Sequence, residues 1–303
     1  MEAARIACCD PDVTAATFLQ LVFSGLSIGA IYALVALALV IPFKASGVLN
    51  FGQGPMVTLG AYIALTLSDL GLPYPVMVPL TLVIAALVGV VVERVFIRRL
   101  VRAPEFTIVI GTFALGLMVQ DAIRLHWQDN NFALEVPFGT DPLLIGGVRL
   151  NPVSLSILLV ALALVVALAL FFGRTRAGKA MRAVSQSQDA ARLMGISVER
   201  VFCGTWALGT AIAALAGILF APVTGINPGI GELILKAFVA AVIGGFNSLP
   251  GAILGGLGLG LIETLSGALV GSTLKNVSAF AVLILMLLVR PHGLFGTTGA
   301  RRV

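Results

Sequence analysis

The residues whose types could carry chemistry in this chain are few. Lys236 and Glu263 each stand alone inside a long apolar run, and Asn50-Phe51-Gly52-Gln53-Gly54 and Asn227-Pro228-Gly229-Ile230-Gly231 share the pattern N-x-G-x-G. A charge in apolar surroundings is costly and faces a partner or a wet cavity. Two explanations of Lys236 and Glu263 stand side by side: a structural ion pair, or a part in gating. Glycines beside a polar asparagine let a backbone unwind and turn its own polar groups toward a small solute. Close helix packing is the other use of such glycines, in a chain with 34 of them. Tyr32, Asn276 and Ser278 offer further polar contacts, for the pathway or for helix packing. Enzyme patterns are missing. His126 and His292 are isolated, neither G-x-S-x-G nor H-E-x-x-H occurs, and Gly178-Lys179 runs into Ala180 where a phosphate loop needs Ser or Thr. Cys8, Cys9 and Cys203 have no zinc or redox spacing.

The elements that must position these groups follow from composition. With 59% hydrophobic and 11% charged residues and a mean hydropathy of +1.07, the chain is an all-α polytopic membrane protein. The net charge of +5 gathers at span ends, where orientation and anionic lipid explain it and nucleic acid does not. Glu2, Asp10 and Asp12 leave no cleavable signal pattern, so the first span is expected to be its own insertion signal. Apolar segments run over 18–42, 50–70, 75–97, 107–125, 152–172, 201–222, 233–246, 249–270 and 277–289. The first of the last three and the final one fall short of the roughly 20 residues of a full crossing, which suits re-entrant or broken helices. The expectation is one transmembrane domain over 1–303 with about 8–10 transmembrane segments. Span one runs inward and span six outward, so the two N-x-G-x-G copies allow inverted halves.

The longest polar interruption, 174–200, carries Arg174, Arg176, Lys179, Arg182, Arg192 and Arg200 against Asp189 and Glu199, which predicts a cytoplasmic segment. The basic turn with Arg94, Arg98, Arg99 and Arg102, and the tail with Arg290, Arg301 and Arg302, should share its side. The segment from His126 to Asn151, with Asp129, Glu135 and Asp141, is expected outside. Within 174–200, Met181, Val184, Ala191, Leu193 and Met194 recur at helical spacing, Ser187 suits an N-cap, and Gly178 and Gly195 suit the entrance and exit of a helical pair. Met181, Val184, Leu193 and Met194 are the expected docking anchors, with Arg182 and Arg192 on the rim.

The stretches GAIYALVALALVIPFKASGVLNFGQGPMVTLGAY (29–62), RAGKAMRAVSQSQDAARLMGI (176–196), LILKAFVAAVIGGFNSLPGAILGGLGLGLIE (233–263) and RPHGLFG (290–296) resemble the LivH-type permease of bacterial branched-chain amino acid ABC transporters. The resemblance covers nearly the whole chain. It implies a non-enzymatic translocation subunit in the bacterial inner membrane, paired with a second homologous permease, two cytoplasmic ATPase subunits and a periplasmic binding protein. ATP and magnesium would bind those ATPases, and this chain would hold no cofactor or metal. The segment matching 176–196 would contact the ATPase. One departure concerns the solute: where relatives have NFAQGE or NFAHGE, this chain has Pro55 after NFGQG. An acid beside the expected pathway of Asn50, Phe51, Gly52, Gln53, Gly54, Asn227, Gly229 and Gly231 is missing. Branched-chain amino acids are the expected cargo, with urea, short amides or small organic acids as alternatives, and a self-sufficient secondary transporter or channel as the competing class.

Overall fold

The structure, a computed structural model, describes residues 11–100, 103–137, 142–145, 148–269 and 271–296. Cys8, Cys9, Arg102, Asp141, Arg301, Arg302 and the side chain of Asn276 lie outside this description. In chain order the helices are α1 (Pro11–Ser46), α2 (Gln53–Asp69), α3 (Tyr74–Val92), α4 (Glu105–Trp127), α5 (Pro152–Arg174), α6 (Arg176–Gln186), α7 (Gln188–Leu193), α8 (Val198–Thr224), α9 (Leu233–Gly244), α10 (Leu249–Leu269) and α11 (Ser272–Val289). Between α4 and α5, β1 (Leu143–Ile145) and β2 (Val148–Leu150) form a short antiparallel hairpin in the segment expected to be an external loop. Among the described residues, six helices (α1, α3, α4, α5, α8 and α10) are long and apolar enough to cross a membrane.

The three remaining apolar helices deserve separate reasons. A full crossing was expected over 50–70, but α2 has only 17 residues because the chain before Gln53 is unwound. The short segment at 233–246 is indeed short: α9 has 12 residues and follows a 3-10 turn at Pro228–Glu232. The last helix, α11, reaches back to Ser272 and has 18 residues, more than its apolar run suggested.

The core is built on α1, whose residues from Ala30 to Ile41 are all buried although none is polar except the tip of Tyr32. A helix that is apolar all round belongs inside a bundle. It packs against α10 through two small-xxx-small stripes, Gly25 with Gly29 and Gly256 with Gly260. A methyl on Gly260 would come within 2.3 Å of the Gly29 backbone, so the two helices touch at backbone distance. Similar contacts join α9 to α10 (Gly244 on Gly251) and α2 to α8 (Gly60 on Ala214). In contrast, α3, α4 and α5 expose Val83, Leu87, Phe106, Phe113, Leu159 and Leu162, as a lipid or partner face does.

The ends of the bundle sort by charge. Arg94 and Arg98 line a cavity with Glu199, Arg200 and Cys203, so the end of α3 and the start of α8 lie together. Ala45 of α1 packs with Met181 and Val184 of α6. The tail returns to the same end, where Leu294 and Phe295 donate backbone hydrogen bonds to the carbonyls of Ile243 (2.8 Å) and Gly244 (3.2 Å) and satisfy the last turn of α9. These described basic residues therefore share one end, as charge predicted. The opposite end holds the pairing of Phe132 with Ile226 and the contact of the Tyr62 and Trp127 rings, 4.9 Å apart. At the basic end, α3 passes through a π-turn at Glu93–Ile97. That turn sets buried Glu93 against Arg98, 3.1 Å away, a pair the sequence did not announce.

Candidate translocation site

The two N-x-G-x-G copies fold alike and meet. In each, the asparagine side chain accepts a hydrogen bond from the backbone N–H two residues on: Gly52 to Asn50 (2.9 Å) and Gly229 to Asn227 (2.9 Å). These Asx turns are the local reason for the pattern, since the side-chain oxygen replaces a helical carbonyl and glycine admits the close backbone. Unwound backbone within a membrane must find partners inside the protein. Here Phe51 N–H donates to Thr112 Oγ1 (3.4 Å), Gln53 N–H to Asn50 O (3.3 Å) and Ile230 N–H to Asn227 O (3.2 Å). The Pro228 carbonyl accepts from Gln120 Nε2 at 2.6 Å.

The first turn leaves the basic end of α1, and α2 carries on toward the opposite end. The second leaves that opposite end of α8, and α9 returns toward the basic end. A helix of 17 residues spans roughly 25 Å and one of 12 roughly 18 Å, so the junction of the two copies lies near mid-depth. A methyl on Gly54 would fall 2.5 Å from the Gly231 carbonyl, and one on Gly231 would fall 2.9 Å from Thr58 Oγ1. The inverted relation of the two turns is thus a feature of the fold. It joins the helix N-termini of both halves at one place.

Not every expected lining residue faces open space. Asn50 and Gln53 are buried and hydrogen-bonded to each other (Nδ2 to Oε1, 2.8 Å), so in this conformation they brace the turn. Gly52 and Gly54 are buried as well, while Phe51, Gly229 and Gly231 reach cavities and Asn227 is half-buried. Gln53 Nε2 and Thr58 Oγ1 are buried without a partner beside this junction. Thr112, Gln120, Thr58 and Glu232 belong to the site and were missed. Gln120, a lone amide in the apolar run of α4, was the available signal. Glu232 sits one residue before the apolar segment at 233–246 begins.

The glycines differ in what they tolerate. Gly54→Ala pushes a methyl into a backbone carbonyl and should cost about 1–3 kcal/mol, with a lowered thermal midpoint and reduced uptake. Gly229→Ala meets only Asn227 Oδ1 at 3.0 Å on an exposed turn and should leave both unchanged. Equal midpoints for the two variants would show that the junction is not tightly packed.

Lys236 and Glu263 come together as an ion pair between α9 and α10. Glu263 is fully buried and also accepts a hydrogen bond from Tyr32 of α1 at 2.6 Å, and the Lys236 ammonium lies 5.6 Å from the centre of the Tyr32 ring. Three elements are tied at one carboxylate. Ser278 bonds Ser266 at 2.9 Å, a helix-packing contact between α11 and α10.

The 174–200 segment is a helical pair. Thr175 caps α6 by accepting from Gly178 N–H (3.0 Å), Ser187 caps α7 by accepting from Ala190 N–H (3.2 Å), and Gly195 takes φ +78° to close it. Gly178 does not take a left-handed position. It is inside α6, where any methyl would strike the Phe171 carbonyl at 2.3 Å. A second correction concerns the anchors. Met181, Val184 and Ala191 are buried against Ala45, Val198, Val201 and Phe202, so they fasten the pair to its own bundle and face away from any docked protein. Leu193 and Met194 are 89% and 82% exposed, and Arg182 and Arg192 are exposed as well.

A broken-helix pair at mid-depth and a separate helical pair at the basic end suit a transport subunit, and comparison with known proteins agrees. The family described as "Branched-chain amino acid transport system / permease component" matches residues 21–289. The chain belongs to this family. It is 33% identical to the high-affinity branched-chain amino acid transport system permease protein BraD of Pseudomonas aeruginosa, over 94% of this chain and 98% of that protein. It is 32% identical to LivH of Escherichia coli over the same shares. A probable branched-chain amino acid transport permease protein LivH of Methanocaldococcus jannaschii is 29% identical over 87% of this chain and 88% of its own. The matched region of this permease includes both broken turns, the Lys236–Glu263 pair and the 174–200 segment.

Proposed function

We propose that this permease is one of two membrane-spanning subunits of an ATP-driven importer in the bacterial inner membrane, carrying branched-chain amino acids delivered by a periplasmic binding protein. The observation that carries this reading is the mid-depth junction of two inverted broken turns, Asn50–Gly54 and Asn227–Gly231, in a chain 33% identical to a branched-chain amino acid permease. Half-helix N-termini at a repeat interface are where transporters place a solute site. A second homologous permease would cover the exposed apolar face around that junction. Two cytoplasmic ATPase subunits, with their ATP and magnesium, would dock on the 174–200 segment. Purified with its native partners and reconstituted into liposomes, the protein should import labelled leucine only with ATP and binding protein present. Import without an ATPase would make it a secondary carrier. Import of urea or a short amide in preference to leucine would change the cargo and keep the machine.

A further inference from the structure

The acid at Glu232 is not needed by the fold. Among the described residues its carboxylate has no hydrogen bond and no ion pair, and although it occupies the N-cap position of α9 it makes no side-chain cap. Its surroundings make that unusual. Glu232 follows the second broken turn directly, at the junction near mid-depth, where an unpaired charge persists only toward water or a ligand. It lines two open cavities, of about 330 and 320 Å³, and is itself exposed. The basic residues of those cavities are already committed. Lys236 is held by Glu263, and Arg124 lies between Asp121 (3.8 Å) and Asp129 (3.4 Å). Glu232 therefore leaves the cavities with an uncompensated negative charge, opposite the Gln120 and Pro55 side of the first.

We propose that Glu232 is the group in the pathway that receives a primary ammonium, the α-amino group of the solute. The proposal rests on the importer reading above. It also gives this chain an acid at the junction from its second half, where Pro55 supplies none from the first. A charge-assisted hydrogen bond from an ammonium to this carboxylate, once solute and a second permease shield it from water, is strong enough to select solutes that carry one.

The test uses the assembled transporter with its three cysteines replaced by serine and Leu117→Cys placed on the wall of the cavity that Glu232 lines. The rate of modification by a trimethylammonium-ethyl methanethiosulfonate, relative to the anionic sulfonatoethyl reagent, should fall about tenfold when Glu232→Gln is added, and Glu232→Asp should preserve it. In the cysteine-free protein, Glu232→Gln should raise the KM for leucine import about tenfold or more, with the ATPase and second permease retained. An unchanged reagent ratio or an unchanged KM overturns the proposal. So does loss of the second permease from the Glu232→Gln transporter, which would make the carboxylate an intersubunit contact. If the parent transporter imports no leucine while the reagent ratio still falls, the cation site stands and the amino acid cargo is wrong.

Discussion

Glu263→Ala should strip most of the folded permease from the membrane, whereas Lys236→Met combined with Glu263→Leu should restore it. The single change leaves the Lys236 ammonium, whose side chain is 23% exposed, without its carboxylate in the middle of the bundle. It also leaves the Tyr32 hydroxyl without an acceptor. Removing one partner of a buried pair costs about 3–5 kcal/mol, a large part of a typical stability of about 5–15 kcal/mol. Replacing both partners by apolar groups removes the unpaired charge, an exchange close to neutral, and leaves the smaller cost of the unpaired Tyr32 hydroxyl, about 1–3 kcal/mol, which a further Tyr32→Phe removes. Thermal unfolding in detergent and the amount of protein in the membrane measure the effect. The double variant also separates the two explanations of this pair. Recovered folding with recovered import makes the pair structural, and recovered folding without import makes it part of the gate. A Glu263→Ala protein as stable as its parent would mean that the pair holds nothing.

The second large effect is at the other functional surface. Leu193→Asp with Met194→Asp should leave a folded permease that no longer retains its ATPase and no longer imports. Both side chains are over four-fifths exposed at the end of α7, with no partner among the described residues to explain two large apolar groups in water. Reversing Arg182 and Arg192 should do less, because an exposed ion pair is worth about 0–1 kcal/mol. Met181→Asp is the contrasting change. It buries a charge against Ala45 and Phe202 and should loosen the helical pair from the bundle, lowering the thermal midpoint before any question of docking arises. Copurification of the ATPase with each variant decides. If the Leu193 and Met194 variant holds its ATPase normally and the arginine reversal releases it, the contact is electrostatic.

This division between Met181 and Leu193 illustrates what sequence alone could and could not determine. Periodicity identified both as the apolar positions of a helical pair, and Ser187 and Gly195 correctly marked a cap and a stop, because those signals depend on a residue and its near neighbours. Which apolar positions turn inward depends on where α1 ends and α8 begins, residues far away in the chain. The membrane class, the helical segments and the common side of the basic regions likewise followed from composition and charge, since lipid and the positive-inside bias act on each span separately. The resemblance in the repeated N-x-G-x-G was visible as a pattern, and so was the shortness of 233–246. Only the tertiary structure decided that the two turns touch through Gly54 and Gly231, that Asn50 and Gln53 brace the turn while Glu232 reaches the cavities, and that Lys236 and Glu263 are partners. The junction depends on backbones from opposite halves approaching at glycine distance, and the ion pair on α9 meeting α10 where Gly244 touches Gly251, conditions set by the packing of α1, α2, α8, α9 and α10 together.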